Sequence, residues 1–216
     1  MANQETAYGL RPIGLVGSAA NSTGVTQYEI ATDDTNAIYQ YEIVVPLSTG
    51  FLGQAADTAG GTTASLGVLM GVEYVDSTFG RSRWLNYWPG SSNVSVNTNH
   101  PVKAFVADNP NQLFQVASDA TLTNKATAQA AVFANATLGT SARSGSTDTG
   151  RSSSALSVSS IATTATLGLR IVGIVDDDAN SDFSAAGIPL IVRLNAHFNA
   201  TTSRYDSQTT ATSTGI

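Results

Sequence analysis

Leu66-Gly67-Val68-Leu69-Met70-Gly71-Val72-Glu73-Tyr74-Val75 is the stretch on which the fold turns. It is rich in Val and Leu, and it alternates with a strand's two-residue period. β-Branched side chains suit a pleated surface. A glycine inside a strand marks a bulge or the close approach of another backbone. Gly67 and Gly71 also form a G-x-x-x-G spacing, but that pattern has meaning in apolar membrane helices and not here. The reading is a β-strand.

The same period extends outward in both directions. Upstream, Val25-Thr26-Gln27-Tyr28-Glu29-Ile30 and the run from Ile38 to Leu47 read as strands, with Asp33-Asp34-Thr35-Asn36 as the turn between them. Downstream, Val102 to Ala107 and Leu113 to Ala117 flank Asp108-Asn109-Pro110-Asn111-Gln112, which predicts a hairpin. Thr166 to Val175 and Ile188 to Asn195 are strands on either side of an acidic loop. Thr123 to Leu138 is rich in Ala and predicts a helix. Residues 1–24 read as an N-terminal arm, 25–200 as a single β-rich domain, and 201–216 as a polar C-terminal tail. Within the domain, 140–160 is a Ser/Thr/Gly-rich surface excursion. These elements predict a mainly β fold, a β-barrel or β-sandwich (jelly-roll-like), with an extended N-terminal arm and at most one or two short helices.

Composition narrows the function. Of 216 residues, 42% are hydrophobic and only 12% charged, so Ser, Thr, Asn and Gln must make most of the polar surface. Ten Lys and Arg against sixteen Asp and Glu give a net charge of −6, with no basic cluster to hold a phosphate backbone. Nucleic acid is not an expected partner. The chain has no cysteine, which removes disulfides, thiolate metal sites and Cys nucleophiles together. No apolar run approaches the ~18 residues of a membrane helix, and the first residues show no signal-peptide pattern. A membrane is not expected as a partner, and synthesis in a cytoplasm is.

The residues that carry chemistry are few. His100 and His197 are the only histidines, and neither lies near a Gly-x-Ser-x-Gly elbow. Both read as structural. Glu29, Glu42 and Glu73 are the carboxylates a glycosidase pair would draw on, although surface-facing alternation accounts for Glu29 and Glu42. Asp176, Asp178 and Asn180 match the first three ligand positions of a calcium loop. Ser181 replaces its turn glycine and Gly187 its terminal Glu, so the loop reads as a solvated turn and only a weak metal candidate. No cofactor is expected. Phe79 to Gly90 is the densest aromatic stretch. Its Arg81, Arg83, Trp84 and Trp88 are interface candidates, since Trp and Arg are enriched among interface hot spots. One Trp is assigned to the core and the other to an interface. Tyr8, Leu10, Arg11 and Ile13 are further interface candidates on the arm.

Several segments, taken in order, resemble a family. Tyr8-Gly9-Leu10-Arg11-Pro12-Ile13 resembles a "G-[FL]-[KR]-P" opening. Tyr87-Trp88-Pro89-Gly90, Val102 to Phe105, and Asp108-Asn109-Pro110-Asn111-Gln112-Leu113-Phe114 resemble a "Y-x-P-A-G … D-[DN]-P-N-x-x-F" block. Leu169 to Gly173, with Val192 to His197, resemble a "[KR]-I-[LV]-G … N-N-H" ending. Together they are similar to tailed-phage capsid decoration (head cement) proteins, with departures at Ala107 and Ala196. The resemblance implies a structural bacteriophage protein and no enzyme. It would sit on the capsid surface of the virion, self-associate as a homotrimer and bind the major capsid protein. The alternatives are a carbohydrate-binding or adhesin-like virion module, using Trp84, Tyr87 or Trp88, and another head, neck or tail component.

Overall fold

The computed structural model describes residues 3, 7–18, 24–55, 64–139 and 144–200. The fold is mainly β. Its strands are β1 (Arg11–Leu15), β2 (Thr26–Ile30), β3 (Ile43–Pro46), β4 (Leu52–Gln54), β5 (Gly67–Asp76), β6 (Arg81–Leu85), β7 (Val102–Ala107), β8 (Gln112–Ala117), β9 (Asn135–Ala136), β10 (Leu169–Ile174) and β11 (Pro189–Leu194). Among the described residues one α-helix, α1 (Lys125–Ala130), joins them. No helix among the described residues is long and apolar enough to cross a membrane.

Two sheets form. In the first, β3, β4, β2, β7 and β5 are successive neighbours, and β5 pairs back onto β3, closing a five-stranded barrel. β6 extends this sheet beyond the ring through β5 alone. The second sheet is open, in the order β1-β8-β11-β10-β9. Side-chain alternation explains how the sheets meet. Val44 points into the barrel among Ile30, Leu52, Leu69, Val72, Val102 and Val106. Its neighbours Ile43 and Val45 point outward, into a second core with Phe114, Val116, Ile171, Leu190 and Val192. A strand buried on both faces requires an unbroken apolar run, and Ile43-Val44-Val45 supplies it.

β5 has both features its glycines predict. A Cβ on Gly67 would collide with the carbonyl oxygen of Ala107, so only glycine lets β7 approach there. The register against β7 shifts between Leu69 and Gly71. This bulge resets the parity of the strand. Leu69 faces the barrel interior before it, and Val72 and Tyr74 face the interior after it.

Several expectations need correction. The predicted hairpin does not pair: β7 lies between β2 and β5, while β8 lies between β1 and β11. Both edges of each strand are occupied by other partners, so the turn at Asn109–Gln112 sends the chain from one sheet to the other. The helix is much shorter than Thr123–Leu138. Asn124 caps it by accepting from the Thr127 N–H, Phe133 ends the turn that follows at φ 75°, and Asn135–Ala136 pairs with β10 instead. The run from Ile38 is broken at Tyr41 (φ 69°). There the Glu42 carboxylate accepts from the Tyr39 N–H and the Gln54 amide. Glu42 is therefore buried, not surface-facing. The 140–160 excursion is partly built in: residues 144 and 146–149 are exposed, as a surface excursion requires, whereas Ser152 and 154–157 are buried and Leu156 joins the inter-sheet core. Residues 140–143 lie outside the described residues, as does the tail 201–216.

The N-terminal arm contributes to the body along its described part. β1 pairs with β8, Leu10 N–H donates to the Tyr41 carbonyl, and the Leu10 side chain is fully buried in the inter-sheet core. Leu10 is thus a core residue in place of the interface residue expected. Leu10→Ala should destabilise the chain by about 2–5 kcal/mol, the usual cost of emptying a buried Leu site. Urea unfolding measures it. A loss below about 0.5 kcal/mol would mean that β1 is not anchored to this core.

Candidate docking surface

The two tryptophans separate, one into the core and the other onto the surface. Trp88 is fully buried and plugs the barrel. Its Nε1–H donates to the Asp34 carbonyl at 3.2 Å, and its ring meets Tyr74 edge-on at 6.1 Å. As an interface candidate Trp88 is corrected to core. Trp84 is 63% exposed on β6. It stacks on Phe105 of β7, with centroids 4.8 Å apart and planes 21° from parallel.

The local chain explains this exposure. β5 and β6 pair as a hairpin in which Trp84 opposes Glu73 and Arg83 opposes Tyr74. Trp84 therefore stands on the outer face with Glu73, while Arg83 shares the other face with Tyr74 and Asp76. β6 pairs with no other strand among the described residues, so its second edge is open. Outside the barrel, Glu73 holds Lys103 at 3.2 Å, and Glu29 opposes Lys103 on β2. The result is an aromatic pair bordered by an ion pair.

The hairpin tip is held by Asp76. Its Oδ1 accepts from the N–H groups of Thr78 (2.8 Å) and Phe79 (3.1 Å), and its Oδ2 meets Arg83 Nε at 2.7 Å. Burial works against the carboxylate, but these two N–H groups and the guanidinium prevail and hold its pKa below the usual range. Arg83 in turn lies over the Phe79 ring, 5.4 Å from its centroid. Phe79 is 64% exposed. One buried carboxylate thus orients an exposed aromatic and an arginine on a five-residue strand whose free edge can accept a partner.

Arg81, Arg83 and Trp84 all lie on β6, the two arginines on one face of the hairpin and Trp84 on the other. Tyr8, Arg11 and Ile13 do not join them, because they sit on the second sheet. There Arg11 lies over the Tyr8 ring (5.3 Å) and donates to Gln115 Oε1 (2.7 Å), and Ile13 is exposed at a bulge in β1. Phe79 and Phe105 were missed as site residues. The alternation Val102-Lys103-Ala104-Phe105-Val106 would have found Phe105, since it shares a face with Lys103.

The other candidates resolve differently. In the acidic loop, it is Asp177 that turns inward, accepting from the Ala179 N–H and the Asn180 side-chain amide. Asn180 is buried, whereas Asp176 and Asp178 are exposed. The calcium spacing is not realised as a common centre. Among the described residues, no group of three or more His, Asp and Glu side chains is placed to hold a metal. His100 is exposed in its turn. His197 lies where the end of β11 meets the start of β5: the Ser65 N–H donates to the Ala196 carbonyl and the Phe198 N–H to the Ser65 carbonyl. His197 is 7% exposed, its Nδ1 accepts from the Asn199 N–H, and its Nε2 has no hydrogen-bond partner. Burial, with Arg193 adding to it and Asp108 opposing it, lowers its pKa from 6.5 to about 4.

No protein-family model, no curated protein and no solved structure matches the chain.

Two outcomes follow from these environments. Trp88→Ala should cost about 3–5 kcal/mol of stability, against less than about 1 kcal/mol for Trp84→Ala; equal losses in urea unfolding would contradict the assignment. His197 binds its proton more readily unfolded (6.5) than folded (about 4). Its neutral form is therefore fully compatible with the fold above pH 6.5, and stability drains away as pH falls from 6.5 toward 4, by on the order of 3 kcal/mol. The depressed carboxylates of Asp76, Asp177 and Asp182 lose their contribution only in a lower window, as pH falls below 3.8. His197→Gln should flatten the upper window and leave the lower one. An unchanged slope above pH 4 in that variant would refute the assignment.

Proposed function

We propose that this chain is a non-enzymatic structural protein of a tailed-phage virion, a decoration subunit that binds the outside of the head shell and stabilises it. The observation that carries this reading is the β5–β6 hairpin. Phe79, Arg83 and Trp84 are exposed on it beside an open strand edge, and Asp76 and the closed barrel hold them in place. Aromatic and arginine side chains presented rigidly lose little conformational freedom on binding, which is what makes them effective anchors. The ordered resemblance of segments from Tyr8 to His197 supports the same reading. The partner is the major capsid protein. Self-association, with a homotrimer as the expected form, would multiply modest contacts across a symmetric lattice.

A carbohydrate-binding role is the second reading, and one feature favours it. Trp84 offers a flat ring with Glu73 and Lys103 beside it as hydrogen-bonding groups. The other aromatics that such a platform would use are occupied, however. Tyr87 stacks on Tyr39 at 5.5 Å with planes 4° apart, and Trp88 is interior. One exposed tryptophan is a smaller platform than the aromatic–arginine edge.

Co-sedimentation with expanded shells stripped of their decoration separates the readings. Wild-type protein should pellet with the shells and raise the temperature at which they break. Trp84→Ala and Phe79→Ala should each weaken binding by tenfold or more (~1.4 kcal/mol or above) while remaining folded. Absence of binding, or equal binding by both variants, would refute the proposal. Retention on glycans that depends on Trp84, without shell binding, would select the second reading.

A further inference from the structure

β6 is held on one side only, and the direction of its backbone groups shows what the other side offers. In an antiparallel pair, successive residues point their N–H and C=O groups alternately toward the partner strand and away from it. On β5 the Asn97 N–H donates to the Val75 carbonyl, and the Ser77 N–H donates to the Ser95 carbonyl. Residues 75 and 77 therefore turn their backbone away from β6, and Asp76 turns toward it. Arg81, Arg83 and Leu85 stand opposite Asp76, Tyr74 and Val72, so these three carry the ladder to β5. Ser82 and Trp84 point both N–H and C=O outward. Among the described residues these groups meet no hydrogen-bonding partner.

The side chains along this edge set what fits beside it. Arg81 and Arg83 lie on one face, Ser82 and Trp84 on the other. Arg83 is matched by Asp76 Oδ2, and Oδ1 of the same carboxylate is taken by the Thr78 and Phe79 N–H groups. Arg81 opposes Asp76 in register, yet it is exposed and has no ion pair or hydrogen bond among the described residues. A strand that completes this edge is therefore favoured by an Asp or Glu beside Arg81. A second β6 does not supply one. Pairing Ser82 with Trp84 of another copy, and the reverse, would set Arg83 against Arg83 and leave Arg81 opposite Leu85. Like charges opposite one another in a ladder are destabilising.

We propose that the shell protein meets this edge by strand addition: an extended segment bonds to the outward N–H and C=O groups of Ser82 and Trp84, with an Asp or Glu beside Arg81. Main-chain bonds supply affinity in such a contact, and the alternate side chains supply register and specificity. The inference rests on the shell-docking reading and gives that contact its chemistry. Docking through the side chains of Phe79, Arg83 and Trp84 alone would need no strand, so the two modes can be told apart.

Proline at position 82 separates them. It removes an N–H that points away from β5, so the hairpin keeps its ladder, and proline is tolerated in that orientation on an edge strand. The probe is the expanded shell stripped of its decoration, with binding of the full chain read by co-sedimentation. Ser82→Pro should bind about tenfold or more weakly than Ser82→Ala, which keeps the N–H. Arg81→Glu should bind about tenfold or more weakly than the wild type, with Arg81→Gln between them. Hydrogen exchange over residues 80–86 needs no variant: shell binding should slow the Ser82 and Trp84 amides of the wild type. If circular dichroism shows that Ser82→Pro has lost its fold, exchange decides. Equal binding by folded Ser82→Pro and Ser82→Ala, exchange that shells leave unchanged, or Arg81→Glu binding as the wild type does would each overturn the proposal. With binding still lost in Trp84→Ala, those results would leave the shell-docking reading standing. A wild type that ignores the shells overturns both. A dimer of the free chain that Ser82→Pro dissolves would overturn the proposal in favour of β6 pairing with itself.

Discussion

The structure depends on one strand serving two purposes. β5 closes the barrel against β3 with its first residues and carries β6 with its last. Both tasks require the interruption near Met70. A regular strand would put Val72 and Tyr74 on the outside if Leu69 faced in, because side chains alternate without exception along a regular ladder. The bulge restores their inward direction, so the barrel keeps its core and the hairpin keeps Trp84 outside. Gly67 is needed for the same closure, since no larger residue fits beneath the Ala107 carbonyl.

From this closure follows a rigid barrel wall. Within the ring itself closure leaves no edge, and β7 is paired on both sides, by β2 and by β5. Stiffness and reach then come from different places. The ring and the inter-sheet core, which Ile43, Val45 and Val68 share with Phe114 and Val192, fix the hairpin's base. Asp76 fixes its tip. An exposed aromatic and arginine edge held at both ends would bind a partner without first having to be ordered.

How much of this was legible in the sequence depends on the range of the interaction. Strand positions were readable at Val102 to Ala107, and the strand read over Thr166 to Val175 contains β10, because alternation is local. The glycines at 67 and 71 announced a bulge and a close approach. Pairing was not readable: Val102–Ala107 and Leu113–Ala117 are joined by a short turn, yet both strands have their edges filled by partners far away in sequence. The 123–138 helix was overstated because alanine favours helix but also fits tightly packed pairing, as Ala136 does. Trp84 and Trp88 are four residues apart, and nothing in composition says which is buried. That was decided by the end of β6 at Leu85 and by the bridge between Trp88 and Ile38. Glu42 looked like a surface residue by alternation, and the turn at Tyr41 changed its direction.

The account's central claim is that this molecule meets a larger shell through the outer edge of the β5–β6 hairpin. Electron cryomicroscopy of a particle carrying the protein tests that claim most directly. The account expects the barrel to stand on the shell with Phe79, Arg83 and Trp84 covered by shell protein and the Glu73–Lys103 pair at the rim of the contact. A particle in which that hairpin points into solvent while another surface makes the contact would contradict it.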